Sequence, residues 1–149
     1  MDDEGTIISD SNAILVYLAT KYAPESWYPR EPGTAAAIQR WLSVAAGEIN
    51  SGPGAARLVK LFGAQLDYDR AKSIAHTLFK TLERHLADND FLVDGGPTIA
   101  DVAAYTYIAH APEGGVSLAA YGNITAWLRR VEALSGFVPM QSSPPAKAA

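Results

Sequence analysis

From Thr34 to Leu134 the apolar residues recur at steps of three and four, in runs separated by clusters of Gly, Pro and Asp. That spacing is the signature of amphipathic helices and leaves little room for a sheet. Thr34 is placed to cap the first run, whose stripe is Ile38, Trp41, Leu42, Ala45 and Ile49. Gly52-Pro53-Gly54 predicts a kink or break, after which Ala55–Ala64 resumes with Leu58, Leu61 and Phe62 facing inward. Asp67 or Asp69 opens a second long helix with Ile74, Leu78, Phe79, Leu82 and Leu86 as its apolar face, and Asp88-Asn89-Asp90 stops it. A third helix runs from Thr98 to about Ala111. A last one, capped by Asn123, carries Ile124, Trp127, Leu128, Val131 and Leu134 and is closed by Gly136. With 26 alanines in 149 residues, these helices can pack closely. The expected fold is mainly α, an antiparallel helical bundle.

What precedes the bundle is different. Thr6-Ile7-Ile8 is a short β-branched run after the turn Asp3-Glu4-Gly5, and no second strand signal lies near it. Ser9-Asp10-Ser11 then supplies cap chemistry for a helix carrying Ile14, Leu15, Leu18 and Tyr22, which ends at Ala23-Pro24. Pro24, Pro29 and Pro32 stiffen a linker over residues 24–33, with Trp27 and Tyr28 placed to pin it to the bundle. The Ser/Pro/Ala tail over 141–149 is expected to be frayed. A lone strand leaves two unpaired edges, which proteins cover or pair. The strand and helix therefore read as the end of an α/β unit: the strand is disordered, pairs with another chain, or has its partner strands upstream of Met1, and the last is the expectation.

Composition narrows the chemistry. With no Cys, a disulfide framework, a thiolate zinc site, an iron–sulfur cluster and a cysteine nucleophile are excluded. A net charge of −4, from 12 Lys+Arg against 16 Asp+Glu, argues against a nucleic-acid partner. No apolar stretch reaches the length of a membrane span, and the first 20 residues hold four acids and no base, the reverse of a targeting segment. The expected location is the cytoplasm. His76, His85 and His110 stand 9 and 25 residues apart, so no metal-ligand spacing exists among them. Asp67-x-Asp69 and Asp88-x-Asp90 sit at helix boundaries and read as caps. Asn123-Ile124-Thr125 fits a glycosylation sequon but serves better as a helix start. Ser51-Gly52-Pro53-Gly54 lacks the Lys of a phosphate loop.

Two capping motifs stand out. Asp10-Ser11-Asn12-Ala13-Ile14 offers free N–H groups and a hydroxyl at a positive helix end, suited to a carboxylate, with Asp10 suited to an ammonium. The same residues also make an ordinary helix cap, and residue types alone favour that reading. Thr98 and Asp101 have the spacing of a capping box, in which each side chain satisfies the other's backbone N–H.

Taken together and in this order, the motifs resemble the glutathione S-transferase family. Ser9-Asp-Ser-Asn-Ala-Ile-Leu-x-Tyr-Leu18 looks like the end of its thioredoxin-like domain. Phe91-Leu-Val, then Pro97-Thr-Ile-Ala-Asp-Val-Ala103, looks like the buried capping box of its helical C-terminal domain, and Asn123-Ile-x-Ala-Trp with Leu134-x-Gly-Phe137 like that domain's closing helix. The resemblance implies a thioredoxin-like remnant over 1–23, a linker over 24–33 and a complete helical domain over 34–140, in an N-terminally truncated chain. It implies that Ser11 and Asp10 grip the carboxylate and ammonium of glutathione's γ-glutamyl end. Arg40, Trp41, Val44 and Glu48 become candidates for the electrophile pocket or the interface of a homodimer, and Thr98 and Asp101 determinants of the fold. Glutathione enters as co-substrate, with no other cofactor and no metal. The family's catalytic Tyr, Ser or Cys and its cis-proline loop have no counterpart here, so no residue receives the thiol-activating role. The competing class is a non-catalytic helical module that binds a partner or an apolar ligand.

Overall fold

The computed structural model describes residues 1–143. Six α-helices follow a small hairpin. β1 (Asp2–Asp3) pairs antiparallel with β2 (Thr6–Ile7), in register Asp2 to Ile7 and Asp3 to Thr6. The expectation of an unpaired strand is thus corrected. The partner is the acidic pair before the turn, which carries no β-propensity. Glu4 and Gly5 both take positive φ, 51° and 87°, which folds the chain back in two residues. The Met1 carbonyl accepts from Ile8 N–H at 2.9 Å.

α1 (Ser11–Tyr22) ends where Ala23-Pro24 demands, and a 3₁₀ turn, Glu25–Trp27, occupies the linker. Trp27 and Tyr28 pack against the core, pinning the linker to it. α2 (Pro32–Val44) starts two residues before the expected Thr34. Pro32 stands at its first position, and the Glu31 carboxylate accepts from Gly33 N–H, Thr34 N–H and the Thr34 hydroxyl at 2.9, 2.7 and 2.9 Å. Those donors hold the Glu31 carboxyl below the usual carboxylate range.

The Gly52-Pro53-Gly54 break is absent. α2 passes into a π-helical run, Ala45–Gly54, and on into α3 (Ala55–Phe62). The wider π turn absorbs a residue that cannot donate, and its glycines let other elements approach. A Cβ on Gly52 would lie 3.0 Å from Ala75 N, on the helix crossing it. α3 closes on Gly63 in the left-handed region. Leu61 is half-buried, whereas Leu58 and Phe62, expected inward, are 40% and 65% exposed.

α4 (Tyr68–His85) is capped by Asp67, whose side chain accepts from Arg70 N–H at 2.9 Å. α5 (Ile99–Ala109) stops two residues short of the expected end, because Pro112 tightens Ala111–Gly114 into a 3₁₀ turn. α6 (Gly122–Glu132) has Tyr121, not Asn123, at its N-cap position, and the Tyr121 side chain makes no capping bond. Glu83 of α4 supplies the cap instead, accepting from Asn123 N–H at 2.8 Å and Ile124 N–H at 2.9 Å. The Asn123 amide donates to the Glu83 carbonyl at 3.1 Å. The core lies between α2, the π run, α4, α5 and α6, around Ile38, Ile49, Phe79, Leu82, Ile108, Ile124 and Trp127, all essentially inaccessible. The expected tail is in part held: Ser143 bonds to Arg57 and Glu113. Residues 144–149 lie outside the described residues. No helix among those described is long and apolar enough to cross a membrane.

Candidate functional site

Asp10 sits in extended conformation just before α1, and its Oδ1 accepts from Ala13 N–H at 2.8 Å while its carbonyl accepts from Ile14 N–H at 2.9 Å. One oxygen of Asp10 is thus committed to the cap and Oδ2 is left over. Ser11 is exposed at the first helical position, and the N–H groups of Ser11 and Asn12 have no acceptor among the described residues. These first-turn donors, the Ser11 hydroxyl and the positive helix end converge on solvent, where an anion gains most. Asn12 turns the other way, donating its amide to the Leu42 carbonyl at 2.9 Å and tying α1 to α2. Beside the cap runs an open recess of about 640 Å³ bounded by Ile8, Asp10, Ala13 and Tyr17 on one side and by Gln39 and Leu42 of α2 on the other.

The opposite face of α2 builds a second concavity. Arg40, Trp41, Val44 and Glu48 line one groove of about 340 Å³, closed across by Ser73, Ile74, Thr77, Leu78 and Thr81 of α4. All four candidates of the first long helix are therefore brought together, on successive turns. The floor is apolar, from Trp41, Val44, Ile74 and Leu78. The Arg40 guanidinium lies 4.9 Å from the centre of the Trp41 ring. Thr77 and Thr81 donate their hydroxyls back to the Ser73 and Thr77 carbonyls, at 3.0 and 3.3 Å, so they present lone pairs to the groove. The sequence signal for this α4 wall was a hydroxyl at every fourth position, Ser73, Thr77 and Thr81, beside the recognised stripe of Ile74 and Leu78. Asp10 and Ser11 do not share this groove; α2 stands between the two concavities.

Thr98 and Asp101 form the capping box in full. Thr98 N–H donates to Asp101 Oδ2 at 2.9 Å and Ala100 N–H to Thr98 Oγ1 at 3.2 Å. Asp101 is fully buried and does more than cap. Its Oδ1 accepts from Leu92 N–H and from Trp127 Nε1–H, both at 2.9 Å, joining the connector before α5 to α6. Burial pushes its carboxyl above the ordinary Asp value, against the donors that favour the ionised form. Among the described residues no group of three His, Asp or Glu is placed to hold a metal. His85 donates its Nε2–H to the Leu92 carbonyl at 3.0 Å, and His110 faces Glu113 at 2.8 Å.

Comparison with known proteins gives a consistent result. The chain is 33% identical over 150 residues to rat glutathione S-transferase theta-1, matching 91% of this chain and 61% of that protein. Against the mouse theta-1 enzyme the identity is 30% over 147 residues. The chain thus spans about 61% of the length of the curated relatives it matches. Among solved structures, a glutathione S-transferase from Xanthobacter autotrophicus Py2 superposes with a TM-score of 0.82 at 29% identity, covering 92% of this chain and 68% of that one. A delta-class glutathione transferase from Nilaparvata lugens superposes at 0.79 with 30% identity, covering 89% and 62%. The family model described as glutathione S-transferase, C-terminal domain, matches residues 52–135, more than half of the chain, from the π run through α6. On that match, and on the capping box and bundle it spans, the chain belongs to the glutathione S-transferase family.

Proposed function

We propose that this chain supplies the electrophile-binding half of a glutathione-conjugating enzyme together with the anchor for the γ-glutamyl end of glutathione. The observation that carries the reading is the N-terminus of α1. There Asp10 spends one carboxylate oxygen on the cap and retains the other, and Ser11 and Asn12 offer unbonded N–H groups beside an exposed hydroxyl. In this reading the glutathione α-carboxylate takes the Ser11 hydroxyl and the N–H pair, and its ammonium takes Asp10. The groove of Arg40, Trp41, Val44 and Glu48 receives the electrophile. Its aromatic and aliphatic floor suits an apolar body, and its charged ends suit a polarised leaving group. Pairing with a second copy belongs to the same proposal and is read by sedimentation velocity.

In this reading no residue of the chain takes the thiol-activating role, so the 149-residue chain is expected to bind glutathione with little turnover of an aryl halide. The binding test is an NMR titration with glutathione, following the amides of Asp10 to Ala13. Asp10→Asn keeps a competent cap and removes the charge, whereas Ser11→Ala removes the hydroxyl. Each loses a charge-assisted hydrogen bond of about 1.5–3 kcal/mol, so affinity should fall about ten-fold or more. Amides at 10–13 that stay unmoved at saturating glutathione would sink the proposal. Fast glutathione-dependent turnover by this chain would overturn the activity claim alone.

A further inference from the structure

Arg57 is a charged side chain only 8% exposed, on the short helix α3, and nothing in the proposed conjugation uses it. Its Nε–H donates to Glu113 Oε2 at 2.6 Å, so the 3₁₀ turn after α5 is tied to α3. The two elements are already in close contact: a Cβ on Gly114 would fall 2.6 Å from Arg57 N, and Tyr68 donates its hydroxyl to the Gly114 carbonyl at 2.9 Å. The pair has spare capacity, and Ser143 takes it up from both sides. Arg57 Nη2 donates to Ser143 Oγ at 2.9 Å, and Ser143 N–H donates to Glu113 Oε1 at 3.2 Å. Glu113 Oε1 also meets His110 Nδ1 at 2.8 Å.

The chain that reaches this anchor leaves α6 through Gly136, whose φ of 80° sets the turn. Phe137 is fixed by a bond from its N–H to the Leu134 carbonyl at 3.1 Å and by an edge-on contact with Tyr105, ring centres 5.1 Å apart. From Val138 to Gln141 no backbone group makes a hydrogen bond to another backbone group among the described residues. Val138 is 83% exposed. Yet Val138 and Met140 form one wall of an apolar cavity of about 330 Å³, whose other walls include Trp27, Val102, Tyr105 and Thr106. A segment held at its two ends, with no ladder between them, opens as a unit when either end is released.

We propose that Phe137–Ser143 is a strap, hinged at Gly136 and latched at Ser143 by the Arg57–Glu113 pair, and that the latch governs opening of the cavity it covers. Closed, the strap shields Trp27 and the Tyr105 edge from water. Open, it exposes a pocket of the size and lining that admits a small aromatic molecule.

Ser143→Pro removes both the hydroxyl and the N–H, and Ser143→Ala removes only the hydroxyl. Backbone ¹⁵N order parameters at Val138, Met140 and Gln141 read the strap, because these amides have no hydrogen bond among the described residues to slow their exchange, while hydrogen exchange at α4 and α5 amides reports whether the bundle is intact. The strap order parameters should stand near the rigid-backbone value of about 0.85 in the wild type and fall below about 0.6 in Ser143→Pro, with an intermediate change in Ser143→Ala. Acrylamide quenching of tryptophan emission should rise in step, because Trp41 and Trp127 are buried and Trp27 lines the cavity. A second route avoids leaving one buried charge alone: the double change Arg57→Leu with Glu113→Leu exchanges the pair for apolar side chains and should release the strap equally. Wild-type order parameters at the strap in Ser143→Pro and in the double variant would overturn the latch. So would strap order parameters already below about 0.6 in the wild-type chain.

Discussion

The heaviest single demand on one side chain in this bundle falls on Asp101. Three donors end on its carboxylate at 2.9 Å: Leu92 N–H, Thr98 N–H and Trp127 Nε1–H. The Thr98 hydroxyl stands at 3.4 Å. All lie where water does not reach, so Asp101→Ala strands the three donors. At about 1–3 kcal/mol for each unsatisfied buried group, the sum is roughly 3–9 kcal/mol, against a typical total stability of about 5–15 kcal/mol. Taking about 5 kcal/mol, and roughly 2–4 °C per kcal/mol for a chain of this length, Tm should fall by about 10–20 °C. Asp101→Asn retains one acceptor oxygen for Leu92 and Trp127 but turns an amide N–H toward Thr98 N–H, so it should cost about half as much. Urea unfolding followed by circular dichroism and tryptophan emission measures both. The sign with pH is also set. Burial raises the folded-state pKa above the unfolded value, so the wild-type advantage over Asp101→Asn is largest below the unfolded pKa. It declines as pH rises through the folded pKa. If Asp101→Asn were as stable as the wild type at neutral pH, or Asp101→Ala cost under about 1.5 kcal/mol, the carboxylate would be a tolerated burden and not the joint between connector, α5 and α6.

Other perturbations follow from single contacts. Glu83→Ala removes the charged cap of α6 and should cost about 2 kcal/mol, with Glu83→Gln recovering part of it in the same urea assay. Gly114→Ala drives a Cβ to 2.6 Å from the Arg57 backbone nitrogen and 2.9 Å from the Ala56 carbonyl carbon, neither of which can yield, so a loss of about 3 kcal/mol is expected. The hairpin is docked by Asp3, which accepts from Lys21, Tyr22 and Tyr17 at 2.7, 2.6 and 2.8 Å; those bonds lower its pKa from 3.8 to about 2. Its contribution is complete above the unfolded pKa and lost as pH falls through about 2, and the protection factor of the Ile8 amide, its exchange rate referred to the intrinsic rate at each pH, should fall over that window but stay level in Asp3→Asn.

Much of the helical half was legible because its signals are local. The three- and four-residue stripes located α2, α4 and α6, and a Thr three residues before an Asp announced α5 with its capping box, since both partners sit on one turn. The Arg40–Glu48 wall of the groove was legible too, as neighbours on one helix must share a face. The facing wall was not, because the meeting of Ser73, Thr77 and Thr81 with α2 depends on how two helices cross, and Gly52 against Ala75 sets that crossing.

By itself the sequence determined a mainly helical bundle, the end of α1 at Pro24 and the cap at the start of α1, for these are properties of backbone dihedrals and residue spacing. Only the tertiary structure decided that Asp2–Asp3 is a strand, paired through Glu4-Gly5 because any backbone can fill a ladder once a tight turn presents it. It also decided that α6 is capped by a glutamate 40 residues away, and that Arg57 and Glu113, 56 apart in sequence, share Ser143. A stranded N–H or a buried charge takes whatever partner the packing brings within hydrogen-bond reach, and distance along the chain has no bearing on that reach.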